Sequence, residues 1–257
     1  MSVTPDLESV TAIAHAAGQR IAEIYATHTG AHQTKADDSP LTTADLASHT
    51  LICKQLDTLD PAIPVLSEES AAIPHAQRVD WQRFWLVDPL DGTKEFLKRN
   101  GEFTVNIALI DHGMPVLGVV HAPMLARSYI GGPDGARRVD GVGSAASARS
   151  IHVRAHRPGE PWQVVASRSH RNAETEAYLA GLGAHECVAM GSSLKLCLVA
   201  EGAAHIYPRL GPTMEWDTAA AHAVVRAAGG SVHDLDGREL RYNKPDLHNP
   251  HFIVEPR

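Results

Sequence analysis

Trp85-Leu86-Val87-Asp88-Pro89-Leu90-Asp91-Gly92-Thr93 is the stretch that decides how this chain is read. An apolar run meets an aspartate, and the proline after it has no N–H to give a strand ladder, so the spacing predicts a strand that ends at Asp88-Pro89. Asp91-Gly92 is a turn pair, because glycine adopts positive φ without steric cost. Two carboxylates, the Leu90 carbonyl and the Thr93 hydroxyl are thereby gathered at one strand end, where ligands of open α/β sheets bind. Carboxylates this close repel unless a cation lies between them, and an all-oxygen donor set suits Mg²⁺. The nine residues alone fit equally well a loop whose aspartates cap their own turn.

Working outward, Leu7 to Tyr25 carries apolar residues at helical spacing, and Thr42 with Asp45 forms a start signal for a second helix. Ile63–Leu66 reads as a short strand delivering Ser67-Glu68-Glu69 at its end. Phe103, Val105, Ile107 and Leu109 alternate with Thr104, Asn106 and Ala108, which predicts a half-buried strand. Further strands are expected at 114–122 and 128–131. Between about Gly131 and Pro161 the composition shifts to Gly, Arg, Ser and Pro, suggesting an α+β part over 1–145 and an α/β part over 146–257. In the second part we expect strands at Val164–Ala166 and near His205–Tyr207, and helices near 174–182, from Ser193 to Ala200, and after Asp217 up to Gly229-Gly230. Trp216-Asp217-Thr218 opens the last helix, and Asp217 by itself reads as its N-cap; the capping box gives Asp45 an equally structural explanation.

The 257 residues carry a formal charge of −7, which argues against a partner as long and anionic as a nucleic acid polymer. Cys53, Cys187 and Cys197 form no metal-binding or redox spacing and read as buried or free thiols, and the 16 histidines include no HExxH. The first residues lack a leader pattern and no apolar run approaches membrane-spanning length, so a cytoplasmic location is expected, with peripheral contact at the cytoplasmic face of the inner membrane left open. Nothing in the chain specifies an oligomeric state.

Three separated motifs, LSEES at 66–70, WLVDPLDGTKEF at 85–96 and WDTAAAHAV at 216–224, resemble those of the inositol monophosphatase superfamily of metal-dependent, lithium-sensitive phosphatases. KADDSPLTTADLASHT, the long LVDPLDGTKEFLKRNGEFTVNIALIDHG segment, SRSH, GSSLKLCLVAEG and YPRLGPTMEWDTAA resemble the CysQ-type 3'(2'),5'-bisphosphate nucleotidases within it. The resemblance implies a layered αβαβα sandwich, as in the fructose-1,6-bisphosphatases, and two Mg²⁺ ions with a third allowed. It implies that Glu68, Asp88, the Leu90 carbonyl, Asp91 and Asp217 hold the cations. It further implies that Asp45 and Thr93, with Glu68, orient and deprotonate a water, and that Asp91, Gly92 and Thr93 hold the scissile phosphate beside Asp217.

For the nucleotide it implies Ser167, Ser169 and His170, in a stretch that with Arg168 follows a strand end and could reach a ribose or second phosphate, then Gly191, Ser192 and Lys195; Arg209 is a weaker candidate. Independently of the resemblance, Gly191-Ser192-Ser193 opens a helix whose free N–H groups would attract an anion. A plain helix cap and a solvated lysine are the alternatives there. Ala221 stands where close relatives usually have Gly, in a helix interior that favours Ala.

The implied reaction removes the 3'-phosphate of adenosine 3',5'-bisphosphate, the by-product of sulfate activation and transfer, with 3'-phosphoadenylyl sulfate as a second substrate. An inositol or sugar phosphatase with the same carboxylates is the nearest alternative. A nucleotide sensor without turnover is another, against which every catalytic position of the motif is occupied.

Overall fold

The computed structural model describes residues 5–27, 33–34, 40–141, 143, 146–166 and 172–257. The chain opens with helix α1 (Leu7–Thr27), a short pair of strands β1 (Gln33–Thr34) and β2 (Pro40–Leu41), and helix α2 (Thr43–Leu59). Strand β3 (Val65–Ser67), helix α3 (His75–Arg78), strand β4 (Arg83–Asp91) and helix α4 (Thr93–Leu97) follow. Next come β5 (Thr104–Asp111), β6 (Met114–Ala122), β7 (Arg127–Gly132), β8 (Gly135–Asp140) and β9 (Ser147–Ser150). The remainder is β10 (Trp162–Ala166), α5 (Ala173–Leu182), β11 (His185–Ala189), α6 (Leu194–Ala200), β12 (Tyr207–Arg209), α7 (Glu215–Ala227), β13 (Gly230–Asp234) and β14 (Phe252–Pro256).

Seven strands form one sheet in the order β3-β4-β5-β6-β7-β8-β9, antiparallel except for the parallel β3–β4 pair. The amphipathic helices α1 and α2 cover one face, where Ile21, Ile52 and Leu56 meet Trp85, Val87 and Val105. On the other face α6 and α7 pack against Leu86, Ala108, Ile110 and Val120. Beyond them lie the parallel β10–β11 pair and the β12-β14-β13 sheet, linked by a bridge between Val164 and Ile206. Leu179 of α5 closes against Val164 and Ile206 on the far side. The layers are therefore αβαβα, as the resemblance implies. The division into 1–145 and 146–257 stays a proposal; the large sheet's last strand, 147–150, lies just past that line.

Three expectations are corrected by the structure. The strand does not end at Asp88-Pro89: β4 runs on to Asp91, with a register shift between Asp88 and Asp91. The bulge absorbs the missing donor of Pro89, and the Pro89 carbonyl instead accepts a 2.7 Å bond from the buried Ser48 hydroxyl of α2. Strand β5 is not half-buried. Its polar residues Thr104 and Asn106 are as inaccessible as its apolar ones, because the α6/α7 layer covers that face. Helix α7 begins at Glu215, so Met214 occupies the N-cap position and Asp217 sits a turn inside, returning a 2.8 Å bond to the Met214 N–H. The strands β11, β13 and β14 had no counterpart in the sequence reading.

α7 approaches the sheet unusually closely. A Cβ on Gly118 would stand 2.2 Å from the Ala220 carbonyl oxygen, and one on Gly131 2.5 Å from Val224 Cα. Backbone cannot yield as a flexible side chain can, so Gly118→Ala is expected to cost about 1–3 kcal/mol. Gly181→Ala, in helix α5 with nothing within 4 Å of the added methyl, should be neutral or slightly stabilising. Urea unfolding of the two variants beside the parent protein measures the contrast.

Candidate active site

The site begins with the parallel pairing of β3 and β4. Ser67 lies opposite Val87, so Glu68 and Asp88 emerge at the same end of adjacent strands. Asp88 is 1 % exposed and one of its oxygens accepts from the Leu90 N–H at 3.1 Å. The β4 bulge then turns the chain so that Asp91 pairs with Thr104, while Asp88 pairs with Asn106. Gly92 follows at φ 94°, the left-handed conformation that caps α4, whose first residue is Thr93.

Asp45 serves two elements at once. Its Oδ2 accepts from the Thr42 N–H at 2.7 Å and the Thr42 hydroxyl at 2.5 Å, completing the capping box of α2. Its Oδ1 accepts from the Thr93 hydroxyl at 3.1 Å, which joins α2 to the end of β4. The capping explanation of Asp45 is therefore met, and the same carboxylate also reaches Thr93. Burial raises its carboxyl pKa, opposed by the Thr42 bonds and reinforced by Glu69.

The carboxylates act strongly on one another. Burial pushes the Asp88 pKa well above the usual range, and Glu68, Asp91, Asp217 and Asp45 push it further. Asp217 is pushed up to about 8 by its surroundings first and by Asp91 next. Asp88 thus feels all four other acids that the sequence singled out. Hard carboxylate and carbonyl oxygens under mutual repulsion are what a divalent cation relieves, and the donor chemistry fits Mg²⁺. Among the described residues no three His, Cys, Asp or Glu side chains close around a single point. Mg²⁺ characteristically fills such an incomplete set with waters and phosphate oxygens.

A cavity of about 430 Å³ opens beside these acids. Asp91, Gly92 and Asp217 line it together with Gly191, Ser192 and Lys195, and Arg209 is also on its wall. Residues from both halves of the sequence therefore converge. Lys195 does not extend into solvent: its ammonium donates to the Ser192 carbonyl at 2.6 Å, and burial lowers its pKa against the opposing pull of Asp91. Two of the N–H groups expected to be free in the Gly191-Ser192-Ser193 turn, those of Gly191 and Ser193, are not free. Gly191 N–H donates to Glu102 Oε2 at 2.8 Å and Ser193 N–H to Asp91 Oδ2 at 2.5 Å, so carboxylates of the protein already occupy that anion-seeking turn. Ser167, Arg168, Ser169 and His170 lie outside the described residues. The sequence reading missed Glu95, Lys98, Asn100 and Glu102 on the cavity wall, which follow the DGT turn closely enough to share its site.

The profile of the inositol monophosphatase family matches residues 5–256, and the chain belongs to that family. It is 52% identical over 251 residues to the 3'(2'),5'-bisphosphate nucleotidase CysQ of Escherichia coli strain K12, covering 96% of this chain and 98% of that one. Among solved structures, the CysQ of Bacteroides thetaiotaomicron superposes with a TM-score of 0.86 at 43% identity, over 97% of this chain and 96% of that one. The extragenic suppressor protein suhB of Bartonella henselae superposes at 0.77 with 26% identity, over 97% and 93%.

A raised carboxyl pKa makes the folded state hold protons that the unfolded chain has released. Above pH about 6.5, where the histidines with lowered pKa are neutral in both states, folding stability should therefore fall as pH rises through the folded value of about 8 for Asp217. Thermal melting in a chelator is expected to show this decline. Added Mg²⁺ should raise the melting temperature more at pH 8 than at pH 5.5.

Proposed function

We propose that this chain is a Mg²⁺-dependent 3'(2'),5'-bisphosphate nucleotidase that hydrolyses the 3'-phosphate of adenosine 3',5'-bisphosphate to give AMP and inorganic phosphate. The observation that carries the reading is the meeting, in one cavity, of the mutually repelling carboxylates Asp91 and Asp217 with the cationic side chains of Lys195 and Arg209. A bisphosphate presents two anionic groups and needs both halves; an inositol monophosphate needs only the first. The full-length likeness to nucleotidases points the same way. The sulfated analogue, 3'-phosphoadenylyl sulfate, presents the same 3'-phosphate and is a second substrate.

Glu68, Asp88, the Leu90 carbonyl, Asp91 and Asp217 would hold the Mg²⁺ ions, two or three in number. When bound, the cations neutralise phosphate charge, acidify water and stabilise the departing oxygen. The protein's own groups supply orientation. Thr93 donates its proton to Asp45, which leaves its oxygen lone pairs to accept from a water lying over the phosphorus. As the water oxygen bonds to phosphorus and the P–O3' bond breaks, one water proton passes through Thr93 to Asp45, the other stays on the phosphate, and the ribose oxygen takes its proton from solvent, to which Asp45 then releases the one it holds. Gly92 and Thr93 form the turn beside the scissile phosphate. Lys195, Ser192 and Gly191 face the nucleotide, as would Ser167, Ser169 and His170.

Phosphate release from adenosine 3',5'-bisphosphate is expected to exceed that from inositol 1-phosphate by at least ~100-fold in kcat/KM. Faster turnover of the inositol ester would overturn the substrate assignment. Asp91→Asn should lower the nucleotide rate at least ~100-fold with the fold intact by circular dichroism, whereas a nucleotide sensor would show no turnover to lose. Li⁺ should inhibit the parent enzyme.

A further inference from the structure

Beneath Asp91 lies a group of buried polar side chains with no part in the proposed chemistry. Thr104 is 0 %, Asn106 1 % and Ser193 2 % exposed. Thr104 and Asn106 are on β5, directly across the ladder from Asp91 and Asp88. Ser192 and Ser193 come from the turn before α6, in the other half of the sequence.

All of them converge on one oxygen. Asp91 Oδ2 accepts from the Ser192 hydroxyl and the Ser193 N–H, each at 2.5 Å, with the Thr104 hydroxyl at 3.5 Å and the Asn106 amide at 3.4 Å behind them. The hydroxyls are also bonded to one another. Thr104 Oγ1 lies 2.5 Å from Ser192 Oγ and 2.9 Å from Ser193 Oγ, and Ser193 Oγ donates to Asn106 Oδ1 at 2.8 Å. Ser193 gives its proton to Asn106 and Ser192 gives its own to Asp91, so the single Thr104 proton goes to one partner among Ser192, Ser193 and Asp91. A closed, dry network of this kind holds its members in one arrangement. Filling Oδ2 with protein donors leaves Oδ1 as the oxygen available to a cation.

We propose that Thr104, with Asn106 and Ser193, is a positioning seat for Asp91, fixing which of its oxygens faces the cation and locking the two halves of the chain together at that point. This rests on the assignment of Asp91 as a cation ligand. It also gives Ser192 a contact with Asp91 in addition to the one proposed toward the nucleotide. The seat acts on Mg²⁺ affinity rather than on nucleotide affinity, because Thr104 and Asn106 face the carboxylate and are not among the residues lining the cavity.

The test is calorimetric titration of Mg²⁺ into chelator-stripped protein, without substrate, for the parent chain, Thr104→Val, Thr104→Ser, Ser193→Ala and Asp91→Asn. Thr104→Val keeps the shape and removes the hydroxyl. It should weaken Mg²⁺ binding about 10-fold, in the range typical for groups that support a metal ligand. Its nucleotide KM at saturating Mg²⁺ should be unchanged. Thr104→Ser restores the hydroxyl and should recover most of the affinity. Should Thr104→Val fail to fold, Ser193→Ala carries the same expectation, since it keeps the backbone donor and removes the link to Asn106. Parent-like Mg²⁺ affinity in the folded variant, with affinity lost in Asp91→Asn, would overturn the seat alone. Parent-like affinity in Asp91→Asn would overturn the seat together with the assignment of Asp91.

Discussion

Asp88 is buried at the end of β4 with Glu68, Asp91, Asp217 and Asp45 all acting to keep it protonated. That repulsion is the constraint around which the molecule is organised. Isolated carboxylates avoid such an arrangement by moving into water. Here the backbone forbids it, because each acid is tied to a separate rigid element: Glu68 to the parallel strand β3, Asp88 and Asp91 to the two sides of the β4 bulge, Asp45 to the capping box of α2 and Asp217 to the first turn of α7. The fold thus stores an electrostatic cost that a divalent cation can relieve, and its layers exist in part to hold the acids in place.

The supports are as specific as the acids. Helix α7 can bring Asp217 to the site because Gly118 and Gly131 let its backbone lie directly on the sheet. Its N-terminus is fixed by Glu215, fully buried, which accepts from the Asn243 N–H at 2.7 Å and pairs with the Lys244 ammonium at 2.6 Å. Asn249 bonds the Met214 carbonyl at 2.7 Å on the other side of the same turn. A buried charge pair of this kind contributes little net stability, but breaking it would leave an uncompensated charge, so it enforces one position for the turn.

Much of this was legible in the residues. The acids at 45, 68, 88, 91 and 217 each follow a recognisable local signal, a capping box, a strand end or a helix start, and the motifs supplied their connection. What was not legible depended on tertiary cover. The alternation in β5 correctly marked a strand, yet Thr104 and Asn106 read as solvent-facing because nothing local reveals that α6 and α7 lie over them. Pro89 read as a strand terminator because a bulge that bypasses one missing donor leaves no sequence mark beyond the proline itself. The turn at 191–193 read as an open anion site because the carboxylates that fill it, Glu102 and Asp91, are about 90 to 100 residues away in sequence. Strands β11, β13 and β14 are five residues each, and β11 has no fully buried residue, so hydrophobic pattern marked them weakly.

The central claim is that these acids surround divalent cations beside the nucleotide's phosphate. Anomalous scattering from crystals grown with Mn²⁺ and AMP locates such ions directly. The account predicts peaks at coordination distance from Asp88 and Asp91, with Glu68 and Asp217 completing the set. Cation peaks found elsewhere, with these carboxylates left bare, would contradict it.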